Sequence, residues 1–394
     1  MRTILYKVIL TLIIISILLG TTGCWDNVTL IEKAIVLGIG LDKIDDDTIE
    51  VTLQIINPVS LSSQGNSSGS TNTNNVWVHS TQGDTLFDTI RKQLQTVNRK
   101  PYYSHLQLIV IGEELARSGI GEFLDFFERD QELRLAPNVV IAKDTTAKKI
   151  LSAKSDLENI PAMHLMEILL NDKSDFHIYN VRLFDIITSL NFPKKNPTIG
   201  KIEIKEEVSE LKIANIDVKG AGIFLEDKLI GWIDDDSVEG LNYILGKVQN
   251  GLIIVKDPLN EEELVTIEQK RSDTKIGLNI EGDQFKYSIN IKAQGTIGGQ
   301  QGEDDLTNQK NSKMLEKKVE DSINKKVQNI VDLAQNEYKS DIFGFGEKLY
   351  KEYPDYWKNV ESNWEDEFSN ALVEINVDFK IINSGLIDSA NEIE

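Results

Sequence analysis

Thiol chemistry is almost absent from this 394-residue chain, which has a single cysteine, Cys24. No disulfide can form within it, and no thiolate metal cluster can be built from it. Histidine is nearly as scarce: His79, His105, His164 and His177 are all there is. No two stand at H-x-x-x-H or H-E-x-x-H spacing, so a zinc site of that kind is excluded. Each reads as a surface or half-buried structural residue. Positive charge is also short, with 42 Lys and Arg against 63 acids and a formal net charge of −21. A body so acidic is repelled by nucleic acid. The one long apolar run, residues 8–20, falls short of the ~20 residues of a bilayer-spanning helix.

Recognisable catalytic motifs are missing too. There is no P-loop, and Gly38-Ile39-Gly40 lacks the third glycine of a dinucleotide fingerprint and sits inside an apolar strand, where close packing accounts for it. Gly65-Asn66-Ser67-Ser68-Gly69 fits the G-x-S-x-G pattern, yet no strand leads in and no helix follows. The runs Asp45-Asp46-Asp47 and Asp234-Asp235-Asp236 lack calcium-loop spacing and read as solvated turns. No catalytic residue, metal ligand or small-molecule cofactor is assigned, and the expectation is a protein that is not an enzyme.

What is there begins with Arg2 and Lys7, the apolar run, and then Thr21, Thr22, Gly23 and Cys24. A basic head, a short apolar stretch and a small-residue exit describe a signal peptide over 1–23. The thiol just after it suits lipidation: a diacylglyceryl group on Cys24, cleavage before it, and an N-acyl chain such as palmitate on the new terminus. Bacterial lipoboxes usually carry Leu three residues before the cysteine, where this chain has Thr21; that departure bears on processing efficiency. One acyl chain anchors only marginally, whereas several hold durably.

Along the chain, 34–41 and 49–57 read as a hairpin, and 60–75 as a flexible loop of Ser, Gly, Asn, Gln and Thr. A helix capped by Asp84 is expected over 85–97, then strands at 106–111 and 138–143. Helices are expected around 113–116, 120–129, 147–151, 160–170 and 181–190. This mixed α/β region spans 24–200, as one unit or two subdomains, and ends in a connector with Pro193 and Pro197. In 201–394 the strands alternate, at 222–233 (two around an Asp227-Lys228 turn), 251–255, 265–268, 275–280 and 285–293. A helix is read at 237–245 and a polar break over 295–311. Leu315, Val319, Ile323, Val327, Ile330, Ala334 and Tyr338 then stripe a long helix over 312–338. In 341–346 (DIFGFG), Phe343 and Phe345 either enter the core after a helix C-cap, the favoured reading, or form an exposed aromatic patch. A shorter helix over 356–368 and a strand over 371–382 follow. The fold class is α+β, two or three mixed units, ending in an antiparallel sheet covered by a long and a shorter helix.

Gly23-Cys24-Trp25-Asp26, Gly38-Ile39-Gly40-Leu41-Asp42-Lys43 and Gln54-Ile55-Ile56-Asn57-Pro58 together resemble the Ger(x)C family, the C subunits of spore germinant receptors. The resemblance continues through Ser104-His105-Leu106, Ile111-Gly112-Glu113-Glu114-Leu115-Ala116, Asp125-Phe126-Phe127-Glu128-Arg129-Asp130, Gly231-Trp232, Gly240-Leu241, the 341–346 stretch and Trp357 with Trp364. It covers most of the mature chain in order. It implies a non-catalytic lipoprotein on the outer surface of the spore inner membrane, built of mixed α/β domains. It also implies association with two integral-membrane subunits, an A-type and a transporter-like B-type, in a receptor for small nutrients. A substrate-binding lipoprotein of an importer is the alternative; it requires two doubly wound lobes of parallel βαβ units around a ligand cleft.

Overall fold

The computed structural model describes residues 2–20, 33–56, 76–97, 99–129, 133–153, 160–192, 194–208, 213–282 and 284–383. The strands are β1 Lys33–Lys43, β2 Ile49–Ile56, β3 Val76–Gly83, β4 Lys100–Tyr102, β5 Leu108–Gly112, β6 Asn138–Ala142, β7 Thr198–Val208, β8 Ile213–Asp217, β9 Ala221–Leu225, β10 Lys228–Ile233, β11 Gly251–Lys256, β12 Leu264–Glu281, β13 Gln284–Gln300 and β14 Leu372–Asn383. The helices are α1 Arg2–Gly20, α2 Leu86–Gln93, α3 Glu113–Ser118, α4 Gly121–Arg129, α5 Ala147–Ser152, α6 Pro161–Leu169, α7 Leu183–Asn191, α8 Asp235–Ile244, α9 Gln309–Asp332, α10 Phe345–Glu352, α11 Pro354–Val360 and α12 Trp364–Asn370. Among the described residues no helix is long and apolar enough to cross a membrane.

Ten strands form the first sheet, in the order β10-β9-β7-β6-β5-β1-β2-β3, with β4 also beside β1 and β8 beside β7. The central strands β1, β5, β6 and β7 run parallel. Every residue of β5 and β6 is buried, because helices cover both faces. Ile109, Ile111, Val139 and Ile141 enter one core with Leu115, Phe123 and Leu183. Their neighbours Leu108, Val110, Val140 and Ala142 enter a second core with Ile150, Leu151 and Leu165. A strand buried on both faces reads as a continuous apolar run, and LQLIVI and NVVIAK do.

The second sheet, β11-β12-β13-β14, has one covered face. Phe285, Tyr287, Ile289 and Ile291 of β13 are buried beside Leu315, Val319, Ile323, Val327 and Ile330 of α9. On the other face Asn376 donates to Asn290 at 3.3 Å in the open. Three strands are antiparallel, while β14 joins β13 in parallel. The crossover through α9 to α12 returns the chain to the end where β13 began, as a parallel pair requires.

Several local expectations change. Thr85, not Asp84, caps α2, accepting from the Asp88 amide at 3.2 Å; the helix ends at Gln93, and Leu94 is exposed. The strands expected at 265–268 and 275–280 are one strand, β12. The polar break is narrower than 295–311, because β13 runs to Gln300 and α9 starts at Gln309, capped by Asn308. Asp234 is a helix cap rather than a turn residue, accepting from the Ser237 amide at 2.9 Å. The long helix closes in a π-helical turn, 333–338, and the shorter one is split into α11 and α12, with Pro354 opening α11. α10 has no counterpart in the sequence reading. A division at residue 200 meets β7 in mid-strand, and β9 and β10 belong to the first sheet.

The two units are stitched together by polar contacts. Tyr338 donates to the Trp232 carbonyl at 2.9 Å, and Ser340 to the Phe224 carbonyl at 2.6 Å. Asn242 donates to the carbonyls of Phe176 and Ile178.

Candidate functional site

Cys24, the residue expected to carry the lipid, lies outside the described residues, as do Gly65 to Gly69 of the serine-containing pattern. Of the other positions that carry the resemblance, Gly23, Trp25, Asp26, Asn57, Pro58 and Asp130 also lie outside the described residues. Those described do not converge on one cavity, and several of them hold joints in the fold.

Asp42, at the end of β1, is buried and accepts from the amides of Ala147 at 2.8 Å and Lys148 at 3.0 Å, capping α5 from across the sheet. Burial raises its carboxyl above the usual aspartate value, partly offset by those amides. Gln54, fully buried, donates to the Leu151 carbonyl at 2.7 Å and accepts from the Ala162 amide at 3.0 Å, tying α5 to α6. Gly38 and Gly40 are close-approach positions: a Cβ on Gly38 would stand 2.9 Å from Leu151 Cδ2, and one on Gly40 3.1 Å from the Ala147 Cβ. Glu113 accepts from Arg117, the Asp144 amide and Trp232 Nε1, joining β5, β6 and β10. Burial works upward on its carboxyl, and those three donors outweigh it, so its pKa is lowered.

The 341–346 stretch is the densest of these joints. Phe343 and Phe345 are in the core. Gly344 takes a left-handed conformation, φ 78°, which turns successive amides inward as a nest. Asp341 fills that nest, accepting from Gly344 at 2.9 Å, Phe345 at 3.0 Å and Gly346 at 2.7 Å, and from Trp364 Nε1 at 3.1 Å. Burial still raises its carboxyl. The Tyr287 ring stacks on Phe345 at 4.0 Å and its hydroxyl donates to the Phe345 carbonyl.

The histidines divide. His79 on β3 faces Thr96 at 2.7 Å, and burial lowers its pKa. His105 meets Tyr102 edge to face, and His164 sits half-buried on α6. His177 joins a cluster that sequence spacing could not reveal. Its Nδ1 meets Asp175 at 2.8 Å and its Nε2 faces Glu239 at 3.5 Å, with Asp236 beside them. The ligand atoms of His177, Asp236 and Glu239 lie within 4.8 Å of one another, a spacing suited to a cation. Lys326 supplies that charge, at 2.5 Å from Glu239 and 3.0 Å from Asp236. Burial works to lower its pKa, and the two carboxylates outweigh it. The arrangement is an ion-paired clasp between α8 and α9.

A cleft of about 430 Å³ opens where the units meet, lined by Lys194, Lys195, Lys339, Glu226, Asp341 and Trp364 among others. Its lysines are matched already: Lys195 to Glu347 at 2.7 Å, Lys194 to Glu365 at 3.7 Å and Lys339 to Asp366 at 3.5 Å. A second, more apolar hollow of about 520 Å³ lies between α2 and α4, beside Phe87 and Phe126. The chemistry on display is ion pairing, capping and packing.

Known proteins share this architecture over nearly the whole chain. Residues 26–204 match the family described as the spore germination protein N-terminal domain, and 219–385 the one described as spore germination B3/GerAC like, C-terminal. Relatives from Bacillus subtilis (strain 168) include spore germination protein KC, 25% identical over 95% of this chain and 94% of its own length. Spore germination protein B3 is 27% identical over 94% and 96%, and spore germination protein A3 28% over 94% and 95%. A solved structure, described as the crystal structure of the GerBC protein, superposes with a TM-score of 0.58 over 88% of this chain and 97% of its own, at 24% identity, and so shares the fold. With both halves matched in order and the fold in common, this chain belongs to the Ger(x)C family of spore germinant receptor C subunits.

Proposed function

We propose that this chain acts in spore germination as the lipid-anchored, non-catalytic C subunit of a nutrient germinant receptor. Acyl groups on Cys24 hold it at the outer surface of the spore inner membrane, beside an A-type and a transporter-like B-type integral-membrane subunit. The folded body works through protein contacts that keep the receptor in a competent state. The observation that carries the reading is the use made of the family's characteristic residues: Asp42, Gln54, Glu113 and Asp341 each fasten one element to another. Such residues define a shape for partners to meet. The importer alternative is disfavoured by the second sheet, in which β11, β12 and β13 are antiparallel, so this half is not a doubly wound lobe of parallel βαβ units.

The test is a Cys24→Ala variant in spores. Nutrient-triggered germination is expected to be blunted while non-nutrient triggers still work, and the protein is expected to leave the membrane fraction and stop co-purifying with the integral-membrane subunits. Normal germination with the protein still on the membrane would refute the anchor.

A further inference from the structure

The parallel strands give the first sheet two chemically different ends. The carboxyl end, where β1, β3, β5 and β6 finish, carries Asp45, Asp46, Asp47, Asp84, Glu114 and Asp144, all exposed. Three of the cations there are already matched: Lys43 to Asp46, Arg117 to Glu113 and Lys148 to Glu50. The opposite end is where β1 starts. Lys33 pairs in register with Lys100 of β4, and its ammonium lies 4.2 Å over the Tyr102 ring. Two strands away, Trp77 at the start of β3 is 43% exposed and sits 4.9 Å from the His79 ring, which bonds Thr96 three residues before Arg99. Neither Lys33 nor Arg99 forms an ion pair among the described residues. In a chain of net charge −21, this end is basic and aromatic.

That end is also the root of the tether. Eight residues separate Cys24 from Lys33, nine steps along the chain, and nine extended steps reach at most about 32 Å. Given the anchor proposed above, on which this inference rests, Lys33 cannot stand farther than that from the bilayer surface. Tryptophan and tyrosine favour the headgroup level, and each lysine or arginine near an anionic surface multiplies association by about five. We propose that Trp77, Tyr102, Lys33, Arg99 and Lys100 form a membrane-contact patch for anionic lipid headgroups, so that the body stands with its acidic end away from the bilayer. The patch fixes orientation, which a lipid tether alone does not.

The chain's one cysteine makes the test independent of what the cell does to it. The mature chain, residues 24–394, is coupled through the Cys24 thiol to a maleimide lipid in vesicles containing phosphatidylglycerol, with headgroup-depth spin-labelled lipid as the quencher. Trp25 adjoins the coupled thiol and is replaced by Phe throughout; in that background a quenched component of tryptophan fluorescence is expected. Trp77→Phe should abolish that component, and Arg99→Glu with Lys100→Glu should reduce it several-fold at an unchanged unfolding temperature. Pure phosphatidylcholine vesicles should quench it less. If Lys100→Glu alone, at an exposed position, lowers the signal, the paired variant's effect is not a folding artefact. Quenching that is indifferent to Trp77→Phe and to both charge reversals overturns the patch, including the case in which these residues serve a protein partner instead. That failure would leave acylation in the spore untouched. Conversely, mass spectrometry of an unacylated terminus from spores would sink the anchor without altering the vesicle result.

Discussion

The two sheets solve the same problem with different coverage. In the first, β5 and β6 lie between two layers of helices, and consecutive residues enter different cores. In the second, α9 covers one face and the other is left polar, so β13 buries every second residue. A sheet covered twice has no tolerant side, whereas a sheet covered once has a face whose composition is nearly free. The difference also sorts the polar groups: the first sheet fastens its helices with Asp42 and Gln54 inside the fold, and the second unit buries Glu239, Asp257 and Asp341.

Breaking that contrast should be easiest at Val140. It is 1% exposed in the middle of the first sheet, so Val140→Asp buries an unpaired charge and should cost about 4 kcal/mol or more. The matching change on the open face, Asn376→Lys, should stay within about 0.5 kcal/mol. Equal urea midpoints for the two variants would contradict the account of coverage given above. Next in size, Asp341→Ala leaves three amides and the Trp364 indole without an acceptor. A loss of about 3–5 kcal/mol is expected, as for removing one partner of a buried charged network, with Trp364 emission shifting as the C-terminal unit loosens. Gln54→Ala should cost less, about 1–3 kcal/mol, because one buried carbonyl and one buried amide are orphaned. A Gln54→Ala protein as stable as the parent in guanidinium titration would mean that α5 and α6 do not depend on that tie.

The smallest effect separates carboxyls by sign. Burial raises Asp341 above its ordinary value of 3.8, so its contribution to stability is fully present below that value and is lost as pH rises through the raised one. Glu113 is lowered: burial works upward and its donors outweigh it. Its contribution is present above the ordinary glutamate value and is lost as pH falls through the lowered one. Asp341→Asn should therefore flatten the decline in stability on the alkaline side of the ordinary aspartate value. Urea midpoints collected from mildly acidic to neutral pH would register this, and an unchanged slope would show that the nest keeps Asp341 ionised throughout.

How much of this was readable from the sequence followed the coverage too. β1, β5 and β6 show as apolar runs and β2, β13 and β14 as alternation because burial writes those patterns directly. The stripe of α9 shows for the same reason. The parallel pairing of β14 does not show, since nothing in an alternating strand records which neighbour it meets or in which direction. α10 is hidden because its first residues, Phe345 and Gly346, belong to a nest that begins as a helix break. The His177 clasp joins residues about sixty to ninety positions apart, His177 to Glu239 and Glu239 to Lys326, and leaves no spacing signal. Asp42 and Gln54 were visible as motif members, but their task, capping and tying helices from across the sheet, appears only once the strands are paired.

The membership of β9 and β10 in the first sheet has a practical side for dissecting the molecule. The family models part between residues 204 and 219, yet a gene split there would hand two strands of one sheet to the wrong fragment. Ile223, Phe224, Leu229 and Ile233 would lose the neighbours that bury them, and each piece would be expected to expose a raw strand and clump. A cut just after Ile233, which leaves α8 with α9, is the one to try when the halves are to be made separately and mixed.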